Sequence, residues 1–283
     1  MPSKILILGA KGMLGGALKQ ELAGREVFTW DREEVDIADF VSLREKIVSL
    51  RPEVIINAAA YNAVDNMETG AAEFELAEKI NGETVGELAK IAKKLGAILA
   101  HYSSDYVFKG DKKEGYREGD SPAPLNRYGE TKLLGERLLQ ENGEKYYLIR
   151  LSRLFGKSGA GEGVKKSFVE AMLDLYVQGR REFDLVDEEL SSPTYAPDLA
   201  RLTWQLIESG RPWGVYHGAN SGACTWYSFG QEIFKIKGYD VKLKAVSGGQ
   251  YPRPAKRPAY TVLLNTKLPA QRLWQTALRE YLK

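Results

Sequence analysis

The sequence predicts a doubly wound α/β fold, a parallel sheet covered by helices on both faces, carrying a smaller C-terminal cap. Three observations predict it. Short apolar runs alternate with amphipathic helical stretches through the first half of the chain. Those runs are apolar throughout instead of alternating, as strands buried on both faces require. The first run leads straight into glycines, Gly9-Ala-Lys-Gly12-Met-Leu-Gly15, which open a helical pattern.

Taken in order, KILILG (4–9) reads as a buried strand and GMLGGALKQELAG (12–24) as a helix. EVFTW (26–30) is a second strand, FVSLREKIVSL (40–50) a helix, and EVIINAAA (53–60) a third strand. A long helical pattern, continuous or broken, covers 68–95, and AILAHYSS (97–104) is the fourth strand. A helix around Tyr128 leads into the strand YYLIRL (146–151). Beyond it the pattern loosens: RLFGKSGAGEG is a glycine-rich loop, and helices are expected over 164–178, from Trp226 and around 269–282. The run YPRPAKRP (251–258) cannot be a helix interior or a central strand, because proline removes a donor and fixes φ. These signals divide the chain into a Rossmann-type part, 1–150, and a mainly substrate-binding cap, 151–283. Later segments, about 180–215, return to the first part.

Composition narrows the function. The 283 residues are 43% hydrophobic and 28% charged, those of an ordinary globular protein. Forty basic residues against 38 acidic ones, in no long block, argue against nucleic acid or an anionic membrane as partner. One cysteine, Cys224, and two histidines, His101 and His217, argue against disulfides and against a Cys- or His-based metal site. No acidic spacing reads as a metal site either, although a divalent-metal requirement stays open. With no signal peptide and no membrane-length apolar stretch, the expected location is cytoplasmic.

Glycines between a first strand and a first helix permit a tight turn and close approach of backbone to a pyrophosphate, which rests on the N–H groups at the helix start. The spacing is G-x-x-G-x-x-G. Asp31 follows the second strand, where an acid would bind the adenine ribose 2′-hydroxyl. Asp31 favours the free hydroxyl of NAD, whereas neighbouring Arg32 can pair with the 2′-phosphate of NADP. Either cofactor, NADH or NADPH, fits, with NADP favoured as the bound form. At the other end, Tyr128 and Lys132 lie four apart, on one face of a helix. A Lys ammonium near a phenol lowers a pKa that otherwise sits at about 10.

Four segments occur in order, GAKGMLG (9–15), NAAA (57–60), HYSSDYVF (101–108) and YGETK (128–132). With YNAVD (61–65), SPT (192–194), GVYH (214–217), TWY (225–227), AKRP (255–258) and LNTKL (264–268), they resemble the dTDP-4-dehydrorhamnose reductase family of the extended short-chain dehydrogenase/reductases. The resemblance covers nearly the whole chain. It implies NAD(P)H-dependent reduction of a 4-keto-6-deoxy sugar nucleotide, most closely dTDP-4-dehydrorhamnose. Ser104 would hydrogen-bond the substrate carbonyl, Tyr128 would protonate the developing alkoxide, and Lys132 would depress the Tyr128 pKa and hold the nicotinamide ribose. The implied cofactor residues are Gly9, Gly12, Met13, Leu14, Gly15, Asp31, Arg32, Asp36, Ile37, Asn57, Ala58, Ala59 and Ala60, with Tyr128 and Lys132. The implied substrate residues are Asn62, Val64, Ser104, Asp105, Tyr106, Arg153 and Arg257. A homodimer is compatible with the resemblance.

The chain departs from the family at several of these positions. Tyr106 stands where related dehydratases carry Glu after Asp, which disfavours dehydration. Arg153 replaces a Trp that packs on the sugar, and a guanidinium can stack or pair with an acidic group instead. Asn62 replaces a Thr, and Ser167-Phe168 an Asn-Phe. These changes leave the rhamnose substrate less certain than the reductase chemistry, and a different 4-keto-6-deoxy sugar nucleotide would also fit. Two other functions share the same residues: a non-catalytic NADP-binding regulatory subunit like the β subunit of methionine adenosyltransferase, and a sugar-nucleotide epimerase.

Overall fold

The computed structural model describes residues 2–161 and 166–283. Its first half alternates β1 (Lys4–Leu8), α1 (Met13–Glu21), β2 (Glu26–Trp30), α2 (Phe40–Leu50) and β3 (Val54–Asn57). Then come α3 (Val64–Thr69), α4 (Ala71–Glu78), a π-helical turn (Lys79–Glu83), α5 (Thr84–Leu95), β4 (Ile98–Ser104), α6 (Arg127–Asn142) and β5 (Tyr146–Leu151). The second half holds β6 (Leu154–Phe155), α7 (Phe168–Val177), β7 (Glu182–Val186), β8 (Leu190–Ser191), β9 (Thr194–Tyr195) and α8 (Ala196–Ser209). It ends with β10 (Gly214–His217), α9 (Trp226–Lys237), β11 (Lys242–Val246), β12 (Tyr260–Thr261) and α10 (Trp274–Tyr281).

Six strands form one sheet in the order β10-β5-β4-β3-β1-β2, all parallel. The chain starts in the middle of the sheet, runs to one edge through β2, and crosses back to β3. The C-terminal ends of β1 and β3 therefore diverge in their connections, which is where such sheets hold ligands. Central strands are buried along their length, while the edge strand β2 is partly exposed. One apolar layer packs α1 and α8 on the sheet, around Leu18, Leu199 and Leu206; the opposite layer packs α2 and α5, around Leu43, Ile47 and Leu88. A third cluster, centred on Phe155, Phe183, Phe229 and Trp274, gathers α7, α9 and α10.

Local chemistry sets the boundaries. Asp39 caps α2 by accepting from the Val41 and Ser42 amides, both at 3.2 Å, and Asn126 caps α6 through the Gly129 amide at 2.9 Å. The helical pattern over 68–95, which the sequence leaves open between continuous and broken, is broken. Gly70 takes an extended conformation between α3 and α4, and the π turn inserts before α5. The third strand is shorter than 53–60, because Ala58–Ala60 leave the sheet after Asn57. The C-terminal helix begins at Trp274, not near 269, and the proline-rich run carries no helix or strand until Tyr260. The start of the helix expected over 164–178 falls partly outside the described residues; its described portion is α7.

Candidate active site

The turn between β1 and α1 is built from close backbone contacts. Gly9 has φ +74°, and a Cβ there would lie 2.7 Å from the Ala59 amide nitrogen. The ends of β1 and β3 therefore touch backbone to backbone, which explains glycine on one side and alanines on the other. A Cβ on Gly15 would run into the Gly9 carbonyl and sit 2.7 Å from Ala10 Cα, so this glycine serves helix-to-strand packing. Gly12 enters α1 in extended conformation and offers no side-chain cap. The first-turn amides of Met13 and Leu14 have the helix-end geometry that accepts a phosphate, and the turn fits a dinucleotide's diphosphate.

The Asp31 carboxylate accepts from the Lys11 amide at 2.9 Å and the Arg32 amide at 3.0 Å. It thus braces the glycine turn, and its remaining lone pairs are what a ribose hydroxyl could use. Arg32 is exposed beside it. Asp36 is exposed and accepts from the Ala38 amide at 2.9 Å, and the Ile37 carbonyl accepts from Thr84 Oγ1 at 3.0 Å. Asn57 is buried. Its amide group meets His101 Nδ1 at 3.2 Å, and its oxygen accepts from the Ala59 amide at 3.2 Å, which turns the chain out of β3.

Ser104 ends β4, in register beside Leu151 of β5. The α6 helix projects Tyr128 and Lys132 toward that strand end. Lys132 is 2% exposed, and its ammonium donates to the Tyr102 carbonyl at 2.7 Å, which fixes the helix against β4. Burial lowers its pKa to about 8, opposed by Glu136. The Tyr128 hydroxyl donates to Asn62 Oδ1 at 3.3 Å, and its ring meets Tyr106 edge-on at 5.6 Å. Burial raises the Tyr128 pKa; the Ser104 hydroxyl opposes the shift, while Asp105 and Tyr106 add to it. The sequence expectation was a phenol depressed by Lys132. In the structure one N–H of the ammonium goes to a carbonyl, and desolvation, not the ammonium, dominates the shift of the phenol, so the phenol stays protonated.

Asp105 was expected at the sugar. Its carboxylate is instead 3% exposed and accepts from three hydroxyls: Ser104 at 3.0 Å, Ser152 at 2.7 Å and Thr261 at 2.6 Å. It is a hub beneath the site, with its pKa raised by burial against those hydrogen bonds. Tyr106 stands in the cleft, its hydroxyl pushed up to about 12 by burial, against the pull of Arg257. The Arg257 guanidinium lies 6.0 Å from the Tyr106 ring and donates to Asp65 Oδ2 at 2.8 Å. Val64 opens α3, its amide donating to the Asn62 carbonyl at 2.9 Å.

Arg153 has φ +43°, the left-handed region. Its guanidinium stacks on Trp226 at 4.0 Å and donates to the Cys224 carbonyl at 2.8 Å and the Glu189 carbonyl at 2.6 Å. The Glu189 side chain in turn accepts from Trp226 Nε1 at 2.9 Å and pairs with Arg253. The resemblance placed Arg153 at the substrate; in the structure it ties three chain segments together, with an aromatic ring at its face. Ser152, Thr261, Glu189 and Trp226 were assigned no role from the sequence. They lie 36 to 156 residues from the groups they hold, so no local spacing marks them. Among the described residues, no group of three or more His, Cys, Asp or Glu side chains could hold a metal ion.

Sheet order and strand-end groups alike belong to one class, the extended short-chain dehydrogenase/reductases with a Rossmann-type sheet. Within it, a family model described as the RmlD substrate binding domain matches residues 3–283, and the chain belongs to that family. It is 36% identical over 287 residues to a spore coat polysaccharide biosynthesis protein, SpsK, of Bacillus subtilis (99% of this chain, 97% of the relative). It is 36% identical over 299 residues to the dTDP-4-dehydrorhamnose reductase of Escherichia coli (98% and 96%). A crystal structure of the Bacillus anthracis dTDP-4-dehydrorhamnose reductase in complex with NADP superposes with a TM-score of 0.92 at 33% identity, covering 99% of each chain.

Proposed function

We propose that the protein is an NAD(P)H-dependent oxidoreductase that reduces the 4-keto group of a 6-deoxy sugar nucleotide, most closely dTDP-4-dehydrorhamnose to dTDP-L-rhamnose. The observation that carries this reading is the convergence of Ser104, Tyr128 and Lys132 at the end of β4, two strands from the glycine turn of β1. Bound NAD(P)H supplies the hydride. Ser104, whose oxygen already accepts from the Tyr106 amide at 3.2 Å, orients the substrate carbonyl. Tyr128, kept protonated by its surroundings, gives its proton to the oxygen that gains charge. Lys132 provides a buried cation beside the phenol and a donor for the ribose. Asp105 acts through Ser104 as a positioning residue. Tyr106, Asn62, Val64 and Arg257 line the sugar side, and Arg153 shapes it through Trp226.

The chain is read as a cofactor-binding part up to about residue 150 and a mainly substrate-binding part beyond it. Among the described residues no helix is long and apolar enough to cross a membrane. The protein is read as a cytoplasmic enzyme acting on a nucleotide-sugar, with no nucleic acid as partner, and a homodimer is compatible with this reading. The test is oxidation of NADPH and NADH with dTDP-4-dehydrorhamnose, compared with Tyr128→Phe. Turnover by the unaltered protein and a loss of about 10²–10⁴-fold in kcat in the variant is expected. Cofactor binding without turnover would sink the rhamnose assignment.

A further inference from the structure

The chain after β6 comes back to the glycine turn. A Cβ placed on Gly159 would run into the Lys11 carbonyl and lie 2.9 Å from Gly12 Cα, and the Ala160 amide donates to the same Lys11 carbonyl at 2.9 Å. Three residues before Gly159, a Cβ on Gly156 would stand 3.8 Å from Met13 Sδ. Residues 156–160 therefore cross the Lys11–Gly12 backbone that leads into α1 and reach the side chain of Met13. The same segment is pinned from the other side. Glu170, in the first turn of α7, accepts from the Ser158 amide at 3.0 Å and from the Ser158 hydroxyl, while its second role is to close the Ser167 capping box.

We infer that residues 156–160 form a clasp that retains the dinucleotide, with Gly159 laid on the glycine turn and Ser158 fastening the clasp to Glu170. The inference rests on the cofactor reading given above. A diphosphate seated on the first-turn amides of α1 lies alongside Gly12, so it sits next to the backbone of Gly159. Glycine is required there because any side chain would occupy the space of the Lys11 carbonyl. The clasp opens only when the Ala160–Lys11 and Ser158–Glu170 hydrogen bonds part, so it slows departure of the nucleotide. It also links the nucleotide to α7, which lies among the residues of the third apolar cluster.

The experiment is stopped-flow release of NADPH from the full-length protein, comparing Gly159→Ala and Ser158→Ala with the unaltered chain. Gly159→Ala displaces the clasp from the turn, whereas Ser158→Ala loosens its fastening without touching the turn. Release about tenfold faster in the first and about threefold faster in the second is expected, since changes at a formed interface fall mainly on the dissociation rate. Unchanged release in both variants overturns the clasp. Faster release in Gly159→Ala alone overturns it too, because the effect then lies in distortion of the glycine turn. If the unaltered protein binds neither NADPH nor NADH, the proposed function itself fails and this inference falls with it.

Discussion

Lys132 and Tyr128 divide their work through desolvation. Both were legible in the sequence as a pair four residues apart, and helix geometry alone puts them on one face of α6. Their protonation was not legible, because it depends on what surrounds them. Burial holds Lys132 at about 8, below its ordinary value of about 10.4. Between those two values the unfolded chain binds more protons than the folded one, so this residue's contribution to stability improves as pH rises from about 8 to about 10.4. On the proposed role of Lys132 in holding the cofactor, function runs the other way. NADPH affinity is expected to weaken as pH rises through about 8, and the Lys132→Met variant to bind weakly with no such dependence. Titrations of nucleotide fluorescence across that range check both. Asp105 shows the limit of reading a residue from its neighbours. Its position after Ser104 suggested the sugar, but the hydroxyls of Ser152, just past β5, and of Thr261 in β12 claim its oxygens.

The α6 helix has to pass close to the π turn to place those side chains. A Cβ on Gly135 would run into the Asn81 carbonyl, and Asn81 uses its side chain to donate to the Tyr61 carbonyl at 2.9 Å and Thr131 Oγ1 at 3.1 Å. The π turn and α6 are thus fitted backbone to backbone. Gly135→Ala is expected to cost about 1–3 kcal/mol through overpacking, seen as a lower urea midpoint with an unchanged m-value. The existence of the long elements was readable, because apolar periodicity over ten or more residues is a strong signal. The π turn was visible only as a break, since its sequence KINGE keeps a helical character. The two-residue strands β6, β8, β9 and β12 were not readable at all. Two residues carry no period, and their partners are set by tertiary contact.

Behind the catalytic face, a buried ion pair joins the layers. Arg150 of β5 donates to Glu136 of α6 at 2.9 and 2.6 Å, with both side chains at most 3% exposed. The same guanidinium reaches the Glu118 carbonyl at 3.2 Å and stacks over Phe108 at 4.9 Å. Glu136→Ala is expected to cost about 3–5 kcal/mol by leaving Arg150 charged and unpaired, while Glu136→Leu combined with Arg150→Met recovers much of the loss. Chemical denaturation of the three proteins decides it. Periodicity and glycine spacing were enough for the parallel sheet and the turn after β1, because each strand, helix and turn is encoded within a few adjacent residues, while the proposed set of Ser104, Tyr128 and Lys132 was named from the ordered motifs of the resemblance. Only the folded chain could bring β10 to the sheet edge, turn Arg153 onto Trp226, place Asp105 under the distant hydroxyls of Ser152 and Thr261 and lay Gly159 across Lys11. Those contacts join residues tens to more than a hundred positions apart, and packing and desolvation, which no local pattern carries, determine them.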